Sequence, residues 1–117
     1  MGIKLAVLSN KPDNVAKDAI KIFFGDIFDF VQGAVNNVRS KPKPDTALKI
    51  CADFGISTKD ALFIGDTNVD METGKNAKMK TCGVLWGFRE KAELLENGAD
   101  FIAERPLDIL SIIQNEK

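Results

Sequence analysis

Three polar stretches hold the side chains from which chemistry can be built: Ser9-Asn10-Lys11-Pro12, Ser40-Lys41-Pro42-Lys43-Pro44-Asp45 and Gly65-Asp66-Thr67-Asn68-Val69-Asp70. Asp66 follows the apolar run Ala61-Leu62-Phe63-Ile64, and Asp70 comes four residues later. That spacing puts both carboxylates on one side of a strand-to-helix turn, where they can share a hard cation. Oxygen ligands completed by waters and a phosphate are what Mg2+ prefers. The same pair also suits capping and solvation of the next helix start, so spacing alone leaves both readings open. Lys41 stands between Ser40 and Pro42 in a segment whose prolines fix backbone direction, so its ammonium can be held ready to neutralise a phosphate. Lys43 is an equally charged neighbour, and in isolation either lysine also reads as a solvated surface charge. Ser9 and Asn10 offer a hydroxyl, an amide and backbone N–H groups for phosphate oxygens, or else form a simple polar turn.

Composition narrows the chemistry further. The 117 residues contain no His, which removes His-ligated metal sites, Ser-His-Asp and Cys-His arrangements and the zinc deaminase signature. Carboxylates, lysines, hydroxyls and backbone amides remain. Cys51 and Cys82 are isolated among apolar residues and form no Cys-x-x-Cys unit, so they read as free buried thiols, as in a reducing cytoplasm. With 17 acidic and 16 basic side chains the net charge is −1, which gives no electrostatic reason to expect a nucleic-acid partner. Lys4, Lys11, Asp13, Lys17 and Asp18 interrupt the first twenty residues, and no run approaches the ~18 apolar residues of a membrane span. At this length the chain reads as one domain over 1–117, which buries roughly two thirds of its unfolded surface without disulfide or metal staples.

The elements that must position those loops are short apolar runs alternating with amphipathic stretches. Ile3 to Leu8 reads as a buried strand ending at the Ser9 turn. From Asp13, the residues Val15, Ala19, Ile22 and Phe23 recur at helical spacing until Gly25. Phe28 to Val31 with Val35 gives a weaker strand or strand pair. After the proline segment, Ala47, Leu48, Cys51 and Phe54 line a helix that Gly55 closes. Ala61 to Ile64 is the clearest strand, followed by a helix from about Val69 to Ala77 and a strand over Thr81 to Leu85. A short helix around Ala92 to Leu95, a minimal strand at Phe101-Ile102 and a helix over Leu107 to Ile113 complete the chain. Five strands separated mostly by helices predict an α/β fold: three layers, with a mostly parallel open sheet flanked by helices. In such sheets ligands sit beyond the carboxyl ends of the strands, where the three polar loops would meet.

Together these loops resemble the Rossmann-like catalytic core of the haloacid dehalogenase-like hydrolase superfamily, in its phosphoglycolate phosphatase-like branch. Leu5-Ala6-Val7-Leu8-Ser9-Asn10-Lys11-Pro12 is similar to that family's second motif, which implies phosphoryl binding by Ser9 and Asn10. Ser40 to Asp45 is similar to the third, making Lys41 the charge-neutralising lysine. Gly65 to Asp70 is similar to the fourth, which implies catalytic Asp66 and a Mg2+ site formed by Asp66 and Asp70. Gly83-Val84-Leu85-Trp86-Gly87 resembles the stretch after the next strand, with Gly87 continuing the pattern, and Trp86, Phe88 and Arg89 could border the site. Lys78 stands where the resemblance leads one to expect Gly.

The family's first motif, an Asp-x-Asp followed by Gly-Thr that supplies nucleophile and general acid-base, is not found here, nor is its inserted cap domain. Ile27-Phe28-Asp29-Phe30 has one Asp, lacks the Gly-Thr and sits where the family has its third strand. The resemblance therefore implies a truncated core. Its complete form would be a Mg2+-dependent phosphatase acting on a small phosphorylated metabolite such as phosphoglycolate, through an aspartyl phosphate. These 117 residues alone are expected to be close to inactive. The absent strand would lie between those ending near Ser9 and Ile64, so self-association or a partner strand filling that place is expected. The alternatives are a non-catalytic phosphate- or Mg2+-binding remnant and a receiver-like domain, although Ser9-Asn10 lacks the acidic cluster a receiver needs.

Overall fold

The apolar runs fold as strands and the amphipathic stretches as helices that cross over between them. The computed structural model describes residues 3–34, 43–87 and 90–115. In chain order these form β1 (Ala6–Pro12), α1 (Asp13–Phe24), β2 (Phe30–Ala34), α2 (Asp45–Phe54), a 3-10 turn at Thr58–Asp60, β3 (Leu62–Gly65), α3 (Asn68–Asn76), β4 (Lys80–Val84), α4 (Lys91–Glu96), β5 (Phe101–Ala103) and α5 (Pro106–Asn115). All the strand pairs are parallel, and helices flank the strands, as the α/β reading predicts. The strands fall into two groups: β1 with β2, and β3–β4–β5 with β4 in the middle.

The second group has two covered faces, which is why β4 is buried at Thr81, Cys82, Gly83 and Val84 alike. Register places Ile64 beside Cys82, and Cys82 beside Phe101, on one face. There Cys82, Val84 and Ala103 form a buried cluster with Leu62, Phe101 and the α5 residues Ile109 and Ile112. Phe63, Thr81 and Gly83 point the other way, against α3 and α4, where Leu94 packs over Gly83. A further cluster joins the two strand groups. Ala47 and Cys51 of α2 pack with Ala77 and Met79, and both Leu8 of β1 and Phe63 of β3 lie against them. The two cysteines are free and buried, as expected, and burial pushes both thiols up from their ordinary pKa.

Several details depart from the sequence reading. Val15 and Ile22 carry the helical spacing of α1 but are 46% and 77% exposed, whereas Ala16 is the buried residue. The face of α1 that packs against β1 and β2 is the one that carries Ala16. Leu48, expected on the inner face of α2, is likewise exposed, while Thr46 is buried with Ala47 and Cys51. β1 also continues past Leu8. Leu8 pairs with Gln32 and Pro12 with Ala34, so two extra residues of β1 bulge out around Ser9 to Lys11.

Lys78 has φ +63°, the left-handed conformation that favours glycine, and it ends α3 with the wrap-around bond from the Met79 N–H to the Gly74 carbonyl, 2.9 Å. The Gly expected from resemblance is thus replaced by a strained lysine. We expect Lys78→Gly to stabilise the chain by about 1 kcal/mol, read as a higher urea midpoint at unchanged m. Before β5, partial burial would raise the pKa of Asp100, but the Lys75 ammonium and the Thr81 N–H, 2.9 Å away, outweigh it and hold the carboxyl below its usual value. A depressed folded-state pKa supplies stability above the unfolded value and loses it as pH falls through the folded one. The melting temperature should therefore drop below about pH 4, and Asp100→Asn should flatten that dependence.

Candidate functional site

β3 ends at Gly65, and the chain turns through Asp66 and Thr67 into α3. One buried carboxylate organises this turn. Asp70 Oδ2 accepts the N–H of Asp66 at 3.1 Å, the N–H of Thr67 at 3.3 Å and the Thr67 hydroxyl at 3.1 Å. The Asp70 N–H in turn donates to Thr67 Oγ1 at 3.2 Å, completing a capping box. The capping reading of Asp70 is therefore realised. It also fixes the orientation of the carboxylate, with its side chain lying directly over Gly65, where any Cβ would overlap it. Asp66 is half-buried beside it and borders an open depression of about 470 Å³ lined by Ile64, Gly65, Asp66, Val84, Trp86 and Gly87.

The phosphate-clamp residues emerge from the neighbouring strand group. Ser9 lies half-buried in the β1 bulge, and its Oγ accepts the Lys11 N–H at 3.1 Å. The backbone of Asn10 belongs to β1; its side chain lies outside the described residues, as does Lys41. Leu8 and Phe63 share the α2 cluster, so the chain at Ser9 and the chain approaching Asp66 leave the same core. Lys43 is described and exposed just before α2.

Two other acids hold structural positions. Asp29 exchanges bonds with the backbone of Leu5, its N–H to the Leu5 carbonyl at 2.7 Å and its carboxylate from the Leu5 N–H at 2.8 Å. This lies at the amino end of β1, away from the Ser9 bulge. Asp13 pairs with Lys17 at 2.8 Å and accepts the Gly33 N–H at 2.9 Å; Lys17 and that amide hold its carboxyl below the usual range. Thr67, Gly65 and Gly87 were not singled out as site residues by sequence reasoning. Thr67-x-x-Asp70 carries a readable capping signature, whereas the role of Gly87 depends on a tertiary contact.

Among the described residues no group of three or more His, Cys, Asp or Glu side chains stands ready to hold a metal ion. The all-oxygen donors of Asp66, just past β3, and Asp70, in the first turn of α3 and oriented by its cap, fit a hard cation as part of a shell completed by other ligands. Among the described residues no helix is long and apolar enough to cross a membrane.

Comparison with known proteins agrees with this architecture. The family described as Haloacid dehalogenase-like hydrolase matches residues 1–84. The chain is 36% identical over 115 residues to a phosphoglycolate phosphatase of Aquifex aeolicus, covering 97% of this chain and 53% of that one. It is 30% identical over 115 residues to a pyrophosphatase PpaX of Listeria welshimeri, with the same coverage. A solved structure from Lactobacillus delbrueckii subsp. bulgaricus superposes with a TM-score of 0.90 at 33% identity, over 96% of this chain and 47% of that one. The chain thus spans about half the length of the curated relatives it matches.

If the Asp70 carboxylate organises the turn, Asp70→Ala should cost about 2 kcal/mol by leaving the Asp66 and Thr67 amides unsatisfied. Thr67→Ala should cost about 1 kcal/mol, both measured by equilibrium unfolding.

Proposed function

The chain belongs to the haloacid dehalogenase-like hydrolase family, and from that premise we propose that it is the core of a phosphatase-type hydrolase acting on a small phosphorylated metabolite. The observation that carries this reading is the Gly65-to-Asp70 turn, where a capping box holds the Asp70 carboxylate against the Asp66 amide and so sets two acidic residues side by side at the carboxyl end of β3. Family membership favours this over the receiver-like alternative. The names of the relatives support a phosphoglycolate-like monoester as substrate, with pyrophosphate as the second candidate.

In this reading the Ser9 hydroxyl and the amides of the β1 bulge bind the phosphoryl oxygens. Lys41 neutralises charge on the group being transferred. Asp66 and Asp70 would hold Mg2+, which supplies electrostatic stabilisation of that charge when bound. The attacking carboxylate and the acid that protonates the leaving oxygen are not assigned to any residue here: Asp29 and Asp13 are held by backbone partners. We place both roles on an Asp-x-Asp strand lying between β1 and β3. Among the described residues β1 pairs with β2 and β3 with β4, so each presents an edge to such a strand, and Ile64 beside that edge is 42% exposed. Loss of both groups ordinarily costs several powers of ten in rate.

Hydrolysis of a small aryl phosphate tests the proposal. The 117 residues alone should show little Mg2+-dependent turnover and should self-associate in sedimentation through the two edges. The same residues joined to an Asp-x-Asp strand should gain turnover that Asp66→Asn abolishes. A folded, joined chain with no phosphatase activity would sink the reading.

A further inference from the structure

Gly65 and Gly87 are not glycines for the sake of backbone torsion, because neither has a positive φ. What both lack is room. A Cβ on Gly65 would overlap the side chain of Asp70, and a Cβ on Gly87 would overlap that of Asp66, with the Asp66 Cγ at 2.7 Å. The two carboxylates of the turn therefore each rest on the bare backbone of a glycine. For Asp70 the glycine is next to the turn and the capping bonds already fix the side chain. For Asp66 the glycine comes from a different element.

The path of the chain explains how it gets there. β3 and β4 run parallel, with Gly65 paired to Gly83, so β4 continues beside the end of β3. The Leu85 N–H donates to the Ala103 carbonyl at 3.0 Å, which ties the exit of β4 to β5. From that anchor the chain turns through Trp86, whose side chain is half exposed, and lays Gly87 across Asp66. The Asp66 carboxylate thus already lies against Gly87, in the space that any side chain at position 87 would take from it.

We infer that Gly87 is a positioning residue: by bringing backbone without a side chain to the β4 exit, it leaves the space in which the Asp66 carboxylate lies at the end of β3, and a side chain there would displace that carboxylate. The consequence for cation binding rests on the proposed function above; the packing itself does not. The two are separable in one set of measurements on the 117-residue chain. Unfolding of Gly87→Ala, Asp66→Gly and the double variant gives a double-mutant cycle. The alanine should lower the melting temperature by roughly 5 °C or more in the native background and by much less beside Gly at 66, where the overlapping atoms are gone. Should Gly87→Ala fail to fold alone, recovery of folding in the double variant is the same result. An equal cost in both backgrounds overturns the inference.

Mg2+ titration followed at the Asp66 and Thr67 amides supplies a readout that simple packing would not move. Folded Gly87→Ala should bind at least about tenfold more weakly, the range seen when the support of a ligating side chain is disturbed. Unchanged affinity in the variant overturns the positioning role. No binding to the native chain counts against the metal reading, and the unfolding cycle then decides the placement of Asp66.

Discussion

A single oxygen of Asp70 determines how this molecule ends β3 and begins α3. Three donors converge on it, two of them the amides of the residues that must leave a parallel strand and enter a helix. Such amides have no partners within the helix, and a carboxylate there also meets the positive end of the helix dipole. The arrangement works only if the residue beneath has no side chain, which Gly65 satisfies. With the turn fixed, α3 lies so that Met71 and Thr73 are fully buried and Gly74 packs on Phe63 and Thr81. Capping and cation binding, alternatives when only spacing is considered, are compatible in this geometry because the cap gives the carboxylate its orientation.

The second constraint is how two strand groups become one core. Backbone hydrogen bonds do not join β1 to β3 among the described residues; side chains do, through α2. Leu8 and Phe63 meet Ala47, Cys51, Ala77 and Met79, small and flexible residues that let strand, helix and loop approach closely. The bulge of β1 begins immediately after Leu8, so the residue that anchors the strand also sets where Ser9 leaves it. Fold and proposed chemistry are thus coupled through Leu8, next to Ser9, and Phe63, three residues before Asp66.

Legibility in the sequence follows the range of the interactions. Ala61 to Ile64 reads as a strand and the Asp66-to-Asp70 stretch as the approach to a helix from about Val69 because their signals are local; the structure has both, with Thr67 as the cap. Lys78 stood out through the resemblance, which leads one to expect Gly there, and its positive φ supplies the physical reason for that expectation. The inner face of α1 was misread at Val15 and Ile22, which share helical spacing with Ala19 but lie off the face that carries Ala16; only packing against β1 and β2 chooses between them. The β1 bulge is likewise set by the register with β2. The contact of Gly87 with Asp66 lies between distant points of the chain, and no local pattern encodes it. Lys41 lies outside the described residues, so its place at the site rests on the motif.

The central claim is that the β1 bulge and the β3–α3 turn form one phosphate and cation site. The most direct measurement is amide NMR of the 117-residue chain titrated with inorganic phosphate in the presence of Mg2+. A single saturable event shifting Ser9 to Lys11 together with Asp66 to Asp70 is the expected result. Shifts confined to one loop, or none in either, would contradict the account.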